Sequence, residues 1–448
     1  MRKKIAITGA GLVGSLWTLF LGQKGYAVDV FERRPDMRKK GADSGRSINL
    51  ALSRRGLKAL EKVGLLEEVK KMAIPMHGRL IHELDGSTHL QPYGREGEFI
   101  NSISRGGLNK LLVENAEKLE NVNFHFEQPC EGFDKDNLQL LVDGKSLDYD
   151  LVFGTDGAFS AIRSTMQRTD RFDYEQKYLA HGYKELSIKP NADGSFKMEN
   201  NALHIWPRKK FMLIALPNQD GSFTCTLFLA FEGSVSFEQL KDEASVNAFF
   251  EEYFPDAKAL MPHLTEEFFE NPTSSLVTVK CFPWTYGDKY CLLGDAAHAI
   301  VPFYGQGMNA GFEDCYLLDE MWENNSEKWP EMINTFGQMR KPDGDAIADL
   351  ALHNFIEMRD LVADEQFLLQ KKIEKAIQEK YPNDFKPMYS LVTFSDVSYS
   401  EAWQKGQQYN RYFQNRKNNL KEIVEKIDRG EADEILEKIF NELVNTGN

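Results

Sequence analysis

The stretch Lys4-Ile5-Ala6-Ile7-Thr8-Gly9-Ala10-Gly11-Leu12-Val13-Gly14 decides the fold, because a buried-strand pattern runs directly into a glycine-rich turn. The glycines have the spacing G-x-G-x-x-G. In this arrangement Gly9 permits a tight turn, Gly11 lets a pyrophosphate approach the backbone, and Gly14 lets the following helix pack close to the strand. The N–H groups at the start of that helix favour anionic oxygens. The stretch therefore predicts the phosphate-binding turn of a Rossmann-like α/β domain.

The residues that follow complete this unit in the expected order. The sequence predicts an apolar helix from Leu12 to Lys24 and a second strand from Ala27 to Phe31, and Glu32 stands at the end of that strand. An acid in this position accepts hydrogen bonds from ribose hydroxyls. The alternative is an ordinary α/β turn whose glycines serve packing alone. The complete order of strand, glycines, helix, strand and acid favours a bound dinucleotide.

A second carboxylate site lies far along the chain. An apolar strand from Tyr290 to Leu293 precedes Gly294-Asp295-Ala296-Ala297-His298, and a helix is predicted to begin near Gln306, within Gly305-Gln306-Gly307-Met308-Asn309. Asp295 therefore stands beside a glycine-rich helix start, where its alternative role is that of a helix N-cap. Such a site suits a ligand longer than NAD, with a ribityl chain and a flavin ring to bind. FAD therefore fits the sequence better than NAD.

Three motifs taken together resemble those of the class A flavin-dependent aromatic hydroxylases. The motifs are Gly9 to Gly14, then Thr155-Asp156-Gly157 with Ser160 and Arg163 after it, and finally Gly294-Asp295. In order and separation they cover residues 1 to about 320, and the combination is far more specific than any one motif. The resemblance implies an α/β fold in which an FAD-binding Rossmann-like domain is interleaved with a β-sheet substrate domain, with a helical C-terminal part.

Within that family the chain resembles the members that hydroxylate L-kynurenine. The segments that carry this likeness are residues 31–35, 45–53, 90–95, 181–186, 201–207, 301–309 and 389–394. The resemblance implies that NADPH reduces the flavin, that O2 adds to form a C4a-hydroperoxide, and that its distal oxygen passes to the substrate ring. The implied product is 3-hydroxy-L-kynurenine. No catalytic side chain is expected, because the flavin carries the chemistry.

The resemblance also assigns contacts with the cofactor. Met308 and Asn309 would offer backbone N–H groups to the N1–C2=O edge of the flavin at a helix start. For Arg105 the alternative is an ordinary surface cation. The full expected set is Gly9, Gly11, Leu12, Val13, Gly14, Glu32, Arg33, Arg34, Arg105, Asp156, Asp295, Gly307, Met308 and Asn309.

Substrate contacts are implied in the same way. Arg79 and Tyr93 match positions that hold the amino-acid carboxylate, for which a planar guanidinium is well suited. Without the resemblance, the favoured interpretation of Arg79 is a structural salt bridge, and that of Tyr93 is a core tyrosine with a satisfied hydroxyl, because isolated polar residues rarely mark a site. Asn354 and Tyr389 complete the polar end. The implied apolar walls around the aniline ring are Leu216, Phe228, Pro302, Phe303 and Met358.

The chain departs from the pattern of bacterial members at three positions. Tyr304 stands next to the substrate ring, where a histidine or phenylalanine is usual, and Ala299 replaces a proline. Gly107 takes the place of a larger polar residue. We expect Tyr304 to alter affinity or ring orientation, and Ala299 to loosen its loop slightly. None of the three removes a group that the implied reaction needs.

The coarse pattern predicts an interleaved domain order. Strands alternate with helices early in the chain, the middle is rich in strands, and the chain is helical from about residue 325. A helix is predicted from Leu108 to Leu119 and a strand from Val122 to Phe126. The predicted parts are an FAD-binding domain in three pieces (1–75, 99–175 and 281–325), a substrate domain in two pieces (76–98 and 176–280), and a helical C-terminal domain (326–448). Residues 418–444 are predicted to form a charged amphipathic helix that packs on the protein.

Composition describes a globular protein and excludes several function classes. The 448 residues have a mean hydropathy of −0.46, and the net charge of −14 argues against a nucleic-acid partner. The five cysteines and nine histidines are dispersed, which predicts neither disulfides nor a metal site and favours the cytoplasm. We expect no signal peptide, because the charged Met1-Arg2-Lys3-Lys4 leads straight into a strand. No apolar run reaches the roughly 20 residues of a membrane helix.

Some alternatives stay open at this point. The substrate is kynurenine or another aminoaryl or phenolic acid. From a different class, a non-catalytic binding protein on the flavin fold, such as an escort protein for prenylated GTPases, shares the glycine motif. A flavin reductase of isoprenoid double bonds is a third option. No second dinucleotide-binding fold marks a site for NADPH, and the oligomeric state is left open, with a homodimer as one option.

Overall fold

The computed structural model describes residues 3–39, 49–325, 328–357 and 365–445. The strands in these residues are β1 Lys4–Thr8, β2 Ala27–Glu32, β3 Asn49–Leu52, β4 Ile74–Met76, β5 Gly78–His82, β6 Thr88–Pro92, β7 Ile100–Ser104, β8 Val122–Phe126, β9 Cys130–Phe133, β10 Leu140–Val142, β11 Lys145–Leu147, β12 Leu151–Gly154, β13 Asp173–Ile188, β14 Leu203–Arg208, β15 Phe211–Pro217, β16 Phe223–Ala230, β17 Ser274–Phe282, β18 Thr285–Tyr286 and β19 Tyr290–Leu292. The helices are α1 Leu12–Gln23, α2 Arg54–Lys62, α3 Leu66–Met72, α4 Arg105–Glu117, α5 Ala161–Met166, α6 Glu243–Tyr253, α7 Pro255–Ala259, α8 Leu264–Glu270, α9 Asp295–His298, α10 Gly307–Asn325, α11 Trp329–Ile356, α12 Glu365–Lys380, α13 Met388–Phe394, α14 Tyr399–Gln414, α15 Leu420–Asp428 and α16 Asp433–Asn445.

A six-stranded sheet in the order β18-β19-β12-β1-β2-β8 forms the Rossmann-like layer, and all pairs except β18–β19 are parallel. Thr8 pairs with Gly154, and Gly154 pairs with Leu292, so β1, β12 and β19 end at one level. Because carboxyl ends of parallel strands share one edge, the three sequence motifs that follow these strands are brought side by side.

A seven-stranded sheet in the order β17-β13-β16-β15-β14-β5-β6 forms the second layer, and it is antiparallel except between β14 and β5. The two faces of its central strands have different neighbours. Phe223, Cys225 and Leu227 of β16 pack with the helices α6 to α8, whereas Thr224, Thr226 and Phe228 face a cavity. The alternation follows from the two-residue period of a strand.

The predicted architecture, a Rossmann-like layer interleaved with a second sheet and followed by helices, is confirmed. β1 and β8 begin and end where the sequence predicted. The helix expected over Leu108–Leu119 begins earlier, at Arg105, because the Ser104 side chain accepts a hydrogen bond from Gly107 N at 3.1 Å and caps it. The residue boundaries of the predicted domains stay predictions.

The C-terminal pattern at residues 418–444 was predicted as one helix and is instead two. α15 and α16 are separated by Gly430, whose φ of +74° interrupts helical geometry. Their apolar residues pack with α11 to α14 in one core cluster, which reaches the cavity through Phe303 and Tyr304. Among the described residues, no helix combines the length and apolarity that crossing a membrane requires.

Candidate active site

A cavity of about 540 Å³ extends from the shared edge of the parallel strands to the inner face of the seven-stranded sheet. Its lining includes the glycine loop and Glu32 as well as Tyr389 of α13, so two chemically different ends belong to one space. We refer to the end with the glycine loop as the glycine end and to the end with Arg79 and Tyr389 as the arginine end.

The three glycines of the first motif meet different demands. Gly9 has a φ of +94°, which side chains rarely adopt. A Cβ on Gly14 would lie 2.0 Å from the Gly9 carbonyl oxygen, so this position allows no side chain at all. A Cβ on Gly11 would meet no protein atom within 4 Å. Gly11 faces the cavity, and its lack of a side chain leaves space for a ligand rather than for the protein.

Glu32 is held rigidly by the backbone around it. Its Oε2 accepts a hydrogen bond from Ala10 N at 2.9 Å, and its Oε1 accepts one from Arg34 N at 2.9 Å. The carboxylate therefore braces the glycine loop and still has lone pairs directed into the cavity that it lines.

Two further carboxylates lie at the same edge of the sheet. Asp156 caps α5 by accepting from Ala161 N at 2.7 Å, but its Oδ1 is buried without a hydrogen-bond partner. Burial raises the pKa of Asp156. Asp295 is open to the cavity yet enclosed by protein beyond it, and desolvation raises its pKa while Arg105 acts in the opposite direction. A buried carboxylate oxygen without a donor, beside a second carboxylate that is open to the cavity, fits a polyhydroxylated ligand such as the ribityl chain of FAD.

The start of α10 is fixed against β3. The Asn309 side chain accepts from Ser53 N at 2.9 Å and donates to Ala51 O at 2.8 Å. Gly305 has a φ of +67°, and a Cβ there would lie 2.8 Å from the Ala51 Cβ. Gly307 and Met308 consequently present the first turn of α10 to the cavity, where helix N–H groups favour partial negative charge.

The predicted cofactor residues are therefore largely gathered in one place. The ones that line the cavity are Gly9, Gly11, Leu12, Val13, Glu32, Arg33, Arg34, Arg105, Asp156, Asp295, Gly307 and Met308. Gly14 packs against the glycine loop instead, and the side chain of Asn309 is engaged with β3.

Stacked tyrosines enclose a cation at the arginine end. The ring centroids of Tyr93 and Tyr389 lie 5.4 Å apart with an interplanar angle of 8°, and Tyr304 stacks on Tyr389 at 5.4 Å and 16°. The Arg79 Cζ lies 4.9 Å from the Tyr389 centroid and 5.6 Å from that of Tyr93. Arg79 Nε and Tyr93 Oη are buried and have no well-formed hydrogen bond. Such groups favour an anionic ligand with acceptor oxygens.

Burial lowers the pKa of Arg79, but Tyr389, Tyr93 and Glu357 together act more strongly in the opposite direction, so its pKa is raised and the guanidinium stays charged. Glu357 also raises the pKa of Tyr304 and Tyr389, after the larger effect of burial. Sequence reasoning missed Glu357. Glu357 precedes the predicted Met358 and lies three residues after Asn354. This spacing of about one helical turn places Glu357 on the same helix face as Asn354, and it was the available signal.

The walls between the two ends are apolar. Phe228 and Phe303 have ring centroids 4.8 Å apart, and Phe303 stacks on Phe355 at 4.1 Å. Leu216 and Pro302 also line the cavity. The sequence prediction missed further wall residues on β15 and β16, namely Met212, Ile214, Thr224 and Thr226. They alternate with Leu216 and Phe228 at a period of two, which was the available signal.

Two predicted substrate residues stand apart from this set. Asn354 is buried and donates to the Phe303 carbonyl at 2.7 Å. It therefore fixes the backbone of a wall residue and does not itself line the cavity. Met358 lies outside the described residues. In the described part of the chain, no three His, Cys, Asp or Glu side chains are arranged to share a metal ion.

A glycine loop, three carboxylates and a helix start on one side of a cavity, with an arginine beside stacked tyrosines on the other, define a flavoprotein with an adjoining small-molecule site. The comparisons agree with this class. The model of the family described as "FAD binding domain" matches residues 2–350. The chain is 53% identical over 405 residues to a kynurenine 3-monooxygenase of Flavobacterium johnsoniae, covering 89% of this chain and 90% of that protein.

A kynurenine 3-monooxygenase of Dictyostelium discoideum is 45% identical over 458 residues, covering 98% of this chain and 99% of that one. Among solved structures, 2-methyl-3-hydroxypyridine-5-carboxylic acid oxygenase superposes with a TM-score of 0.68 at 19% identity, covering 82% of this chain and 95% of that one. Pseudomonas aeruginosa PqsL has a TM-score of 0.64 at 18% identity, with 80% and 97% covered, and both show the shared fold.

The chain belongs to the FAD binding domain family, within the flavin monooxygenases that include these relatives. The resemblance inferred from the three motifs is thereby confirmed, as is FAD as the cofactor.

Proposed function

We propose that this protein hydroxylates L-kynurenine at ring position 3 with NADPH and O2. One oxygen atom of O2 enters the ring, the other leaves as water, and NADPH with a proton supplies the two electrons for that reduction. Kynurenine combines an aniline ring with an α-amino acid group. The substrate class is supported by the names of relatives that align over nearly the whole chain.

The single observation that carries the proposal is the enclosed guanidinium of Arg79. Arg79 lines the cavity beside the stacked rings of Tyr93 and Tyr389, and no carboxylate in the described residues forms an ion pair with it. A substrate carboxylate would satisfy Arg79 Nε and accept from Tyr93 Oη. Glu357 lies close enough to affect Arg79, Tyr304 and Tyr389, and would attract the α-ammonium group. This pair of charges suits an amino-acid substrate.

When bound, the flavin accepts hydride from the nicotinamide and activates O2 for transfer to an electron-rich ring. The residues of the chain position the substrate and exclude water. Arg79, Tyr93 and Tyr389 would hold the amino-acid end, which fixes where the ring lies. Leu216, Phe228 and Phe303 would enclose the ring in an apolar space, and an apolar space protects a reactive oxygen species from water.

At the glycine end, the proposed cofactor contacts follow from the groups that line the cavity. Gly11 leaves space for the pyrophosphate, and Glu32 has lone pairs for the ribose hydroxyls. Asp156 Oδ1 and the Asp295 carboxylate would accept from hydroxyls of the FAD chain. Gly307 and Met308 would direct N–H groups at the flavin ring, where they favour the negative charge of the reduced form.

Three further features belong to the proposal. NADPH binds transiently, outside the FAD site, and a homodimer stays one option for the assembly. A cytoplasmic location is supported by the five cysteines, all free thiols and four of them buried, as is usual in a reducing compartment.

The test is anaerobic reduction of the bound flavin by NADPH, followed by visible absorbance, with L-kynurenine, with kynuramine and with neither. Kynuramine lacks only the carboxylate. We expect L-kynurenine to accelerate reduction strongly and kynuramine to do so weakly, with 3-hydroxykynurenine identified by mass spectrometry after oxygen is admitted. Equal effects of both compounds would contradict the role of Arg79. No effect of either, in a yellow protein, would favour another aminoaryl or phenolic acid as substrate.

A further inference from the structure

Arg55 on α2 joins three separate parts of the protein from a fully buried position. Its side chain is 1% exposed. Its Nε donates to Val392 O at 3.0 Å, its Nη2 donates to Val397 O, and its Nη1 forms an ion pair with Glu313. Its Cζ also lies 4.1 Å from the ring centroid of Tyr399. One guanidinium therefore contacts α10, the end of α13 and the start of α14.

This arrangement requires an arginine. The Val392 carbonyl belongs to the last turn of α13, where helix carbonyls lack intrahelical partners. A planar guanidinium has five N–H donors in fixed directions and can serve several acceptors at once, whereas a lysine ammonium is a compact point charge. Arg55 thus fixes both ends of the short connection between α13 and α14.

The α13 side of this junction carries a residue of the arginine end. Tyr389 lies three residues before Val392 in α13, less than one helical turn away. A displacement of Tyr389 that moved α13 as a unit would therefore also move the carbonyl that Arg55 holds.

The other side of the junction holds the start of α10. Tyr399, on which Arg55 packs, donates from its hydroxyl to Gln306 Oε1 at 3.0 Å. Ser53, two residues before Arg55, donates from its backbone N–H to the Asn309 side chain at 2.9 Å. The turn that presents Gly307 and Met308 to the glycine end is thus bonded on both sides to residues that neighbour or contact Arg55.

We propose that Arg55 is a positioning residue that couples the helix carrying Tyr389 to the start of α10, so that substrate bound at the arginine end sets the readiness of the flavin for reduction. The effect on reduction rests on the proposed function. The mechanical coupling between α13 and the start of α10 does not, and it is measured separately.

The experiment compares Arg55→Met with Arg54→Met in the FAD-loaded enzyme. Arg54 is a matched control, because it lies on the same helix and pairs with Asp396 at 2.6 Å, but it is 52% exposed. Amide hydrogen exchange is measured by mass spectrometry in peptides that cover residues 388–394 and 306–313. The ratio of flavin reduction rates by NADPH with and without L-kynurenine is the second readout.

In Arg55→Met we expect faster exchange in both segments and a fall in the kynurenine-dependent ratio of roughly tenfold, within the usual range of a coupling between two sites. Arg54→Met should match the wild type in both readouts. Arg55→Lys should lie near Arg55→Met, since the charge alone cannot span the acceptors. The coupling is overturned if Arg55→Met exchanges faster in residues 388–394 alone. It is also overturned if the wild type responds to kynurenine and the folded Arg55→Met enzyme has the same ratio of reduction rates as the wild type.

Two other outcomes are distinguishable. If kynurenine has no effect on the wild type, the proposed function fails, and the paired exchange in the two segments still decides the mechanical coupling. If Arg55→Met does not fold, Tyr399→Phe replaces it, because this change removes only the hydroxyl that bonds to Gln306. Faster exchange in residues 306–313 of that variant supports the coupling, and wild-type exchange there overturns it.

Discussion

The two ends of the cavity are formed by different kinds of groups, backbone at one end and side chains at the other. The glycine end is made mainly of backbone, with Gly9, Gly11 and Gly14 on one continuous strand, turn and helix. The arginine end is made of side chains from distant segments, with Arg79 on β5, Tyr93 just after β6 and Tyr389 on α13. The first end depends on the absence of side chains, and the second on their presence.

The two ends also differ in charge. Burial raises the pKa of Asp156 at the glycine end, where a carboxylate oxygen has no donor. At the arginine end the pKa of Arg79 is raised despite burial, and its buried Nε has no acceptor. The glycine end therefore suits a ligand rich in donors and the arginine end suits an anion. A substitution that distorts the backbone of the glycine end should therefore abolish ligand binding and destabilise the protein. Loss of one side chain at the arginine end should only weaken ligand binding.

The largest expected effect is that of Gly14→Ala. Its Cβ would lie 2.0 Å from Gly9 O and 2.5 Å from Thr155 Oγ1, so the turn must distort. We expect loss of both bound FAD and apoprotein stability, measured by flavin absorbance and thermal unfolding. Gly11→Ala is the contrast, because its Cβ meets no protein atom within 4 Å. It should leave the apoprotein stable and weaken FAD binding alone; equal behaviour of the two variants would contradict the comparison.

The next effect is that of Arg79→Met at the other end. Removing a charged hydrogen-bond donor should cost about 1.5–3 kcal/mol of substrate affinity, a rise in the KM for kynurenine of roughly 10- to 150-fold. FAD content should be unchanged. The variant should also lose the preference for kynurenine over kynuramine, because that preference depends on the carboxylate. A variant that keeps this preference would place the carboxylate elsewhere.

Asp156→Asn tests the buried carboxylate through pH. Because the pKa of Asp156 is raised in the folded state, its contribution to stability is complete below the ordinary value of 3.8 and is lost as the pH rises through the folded pKa. The stability of the wild-type apoprotein should therefore decline across that range relative to Asp156→Asn, whose amide oxygen can still accept from Ala161 N. Thermal unfolding of both apoproteins from about pH 4 to pH 7 measures this. If the unfolding temperatures of the two apoproteins changed with pH in parallel, the raised pKa of Asp156 would be contradicted.

The smallest effect is expected for Tyr304→Phe. This change keeps the ring stack on Tyr389 and removes one hydroxyl, which is worth at most about 1 kcal/mol. We expect a change of less than about fivefold in the KM for kynurenine, with coupling of NADPH use to product formation measured alongside. A loss as large as that of Arg79→Met would mean that the Tyr304 hydroxyl binds substrate directly.

The glycine end was predicted from the residues themselves, whereas the arginine end was predicted only from a family resemblance. Gly9, Gly11 and Glu32 were assigned from their spacing alone, because strand, turn and helix are local structures. Arg79 and Tyr389 were assigned only through a family resemblance, and the binding roles at both ends stay predictions. Met212 and Thr226 were missed although they alternate with assigned neighbours, since periodicity shows that a strand has two faces but not which face borders a cavity.

Some errors have a local cause. The start of α4 at Arg105 depends on the cap by Ser104, and the break between α15 and α16 depends on Gly430. Both signals were present in the sequence and were outweighed by the apolar pattern around them. Glu357 is different: its spacing of one helical turn from Asn354 indicates a shared helix face, but it does not show that this face approaches Arg79.

The sequence by itself determined the Rossmann-like unit, because a strand, a turn and a helix depend on contacts between residues close in the chain. It indicated FAD through three well-separated motifs that a family shares. Only the tertiary structure decided that β1, β12 and β19 end at one level, that Tyr93 and Tyr389 stack around Arg79, and that Arg55 joins α13 to α10. The reason is physical. Long-range contacts are selected by packing and by the pairing of buried polar groups across the whole chain, and no local pattern encodes them.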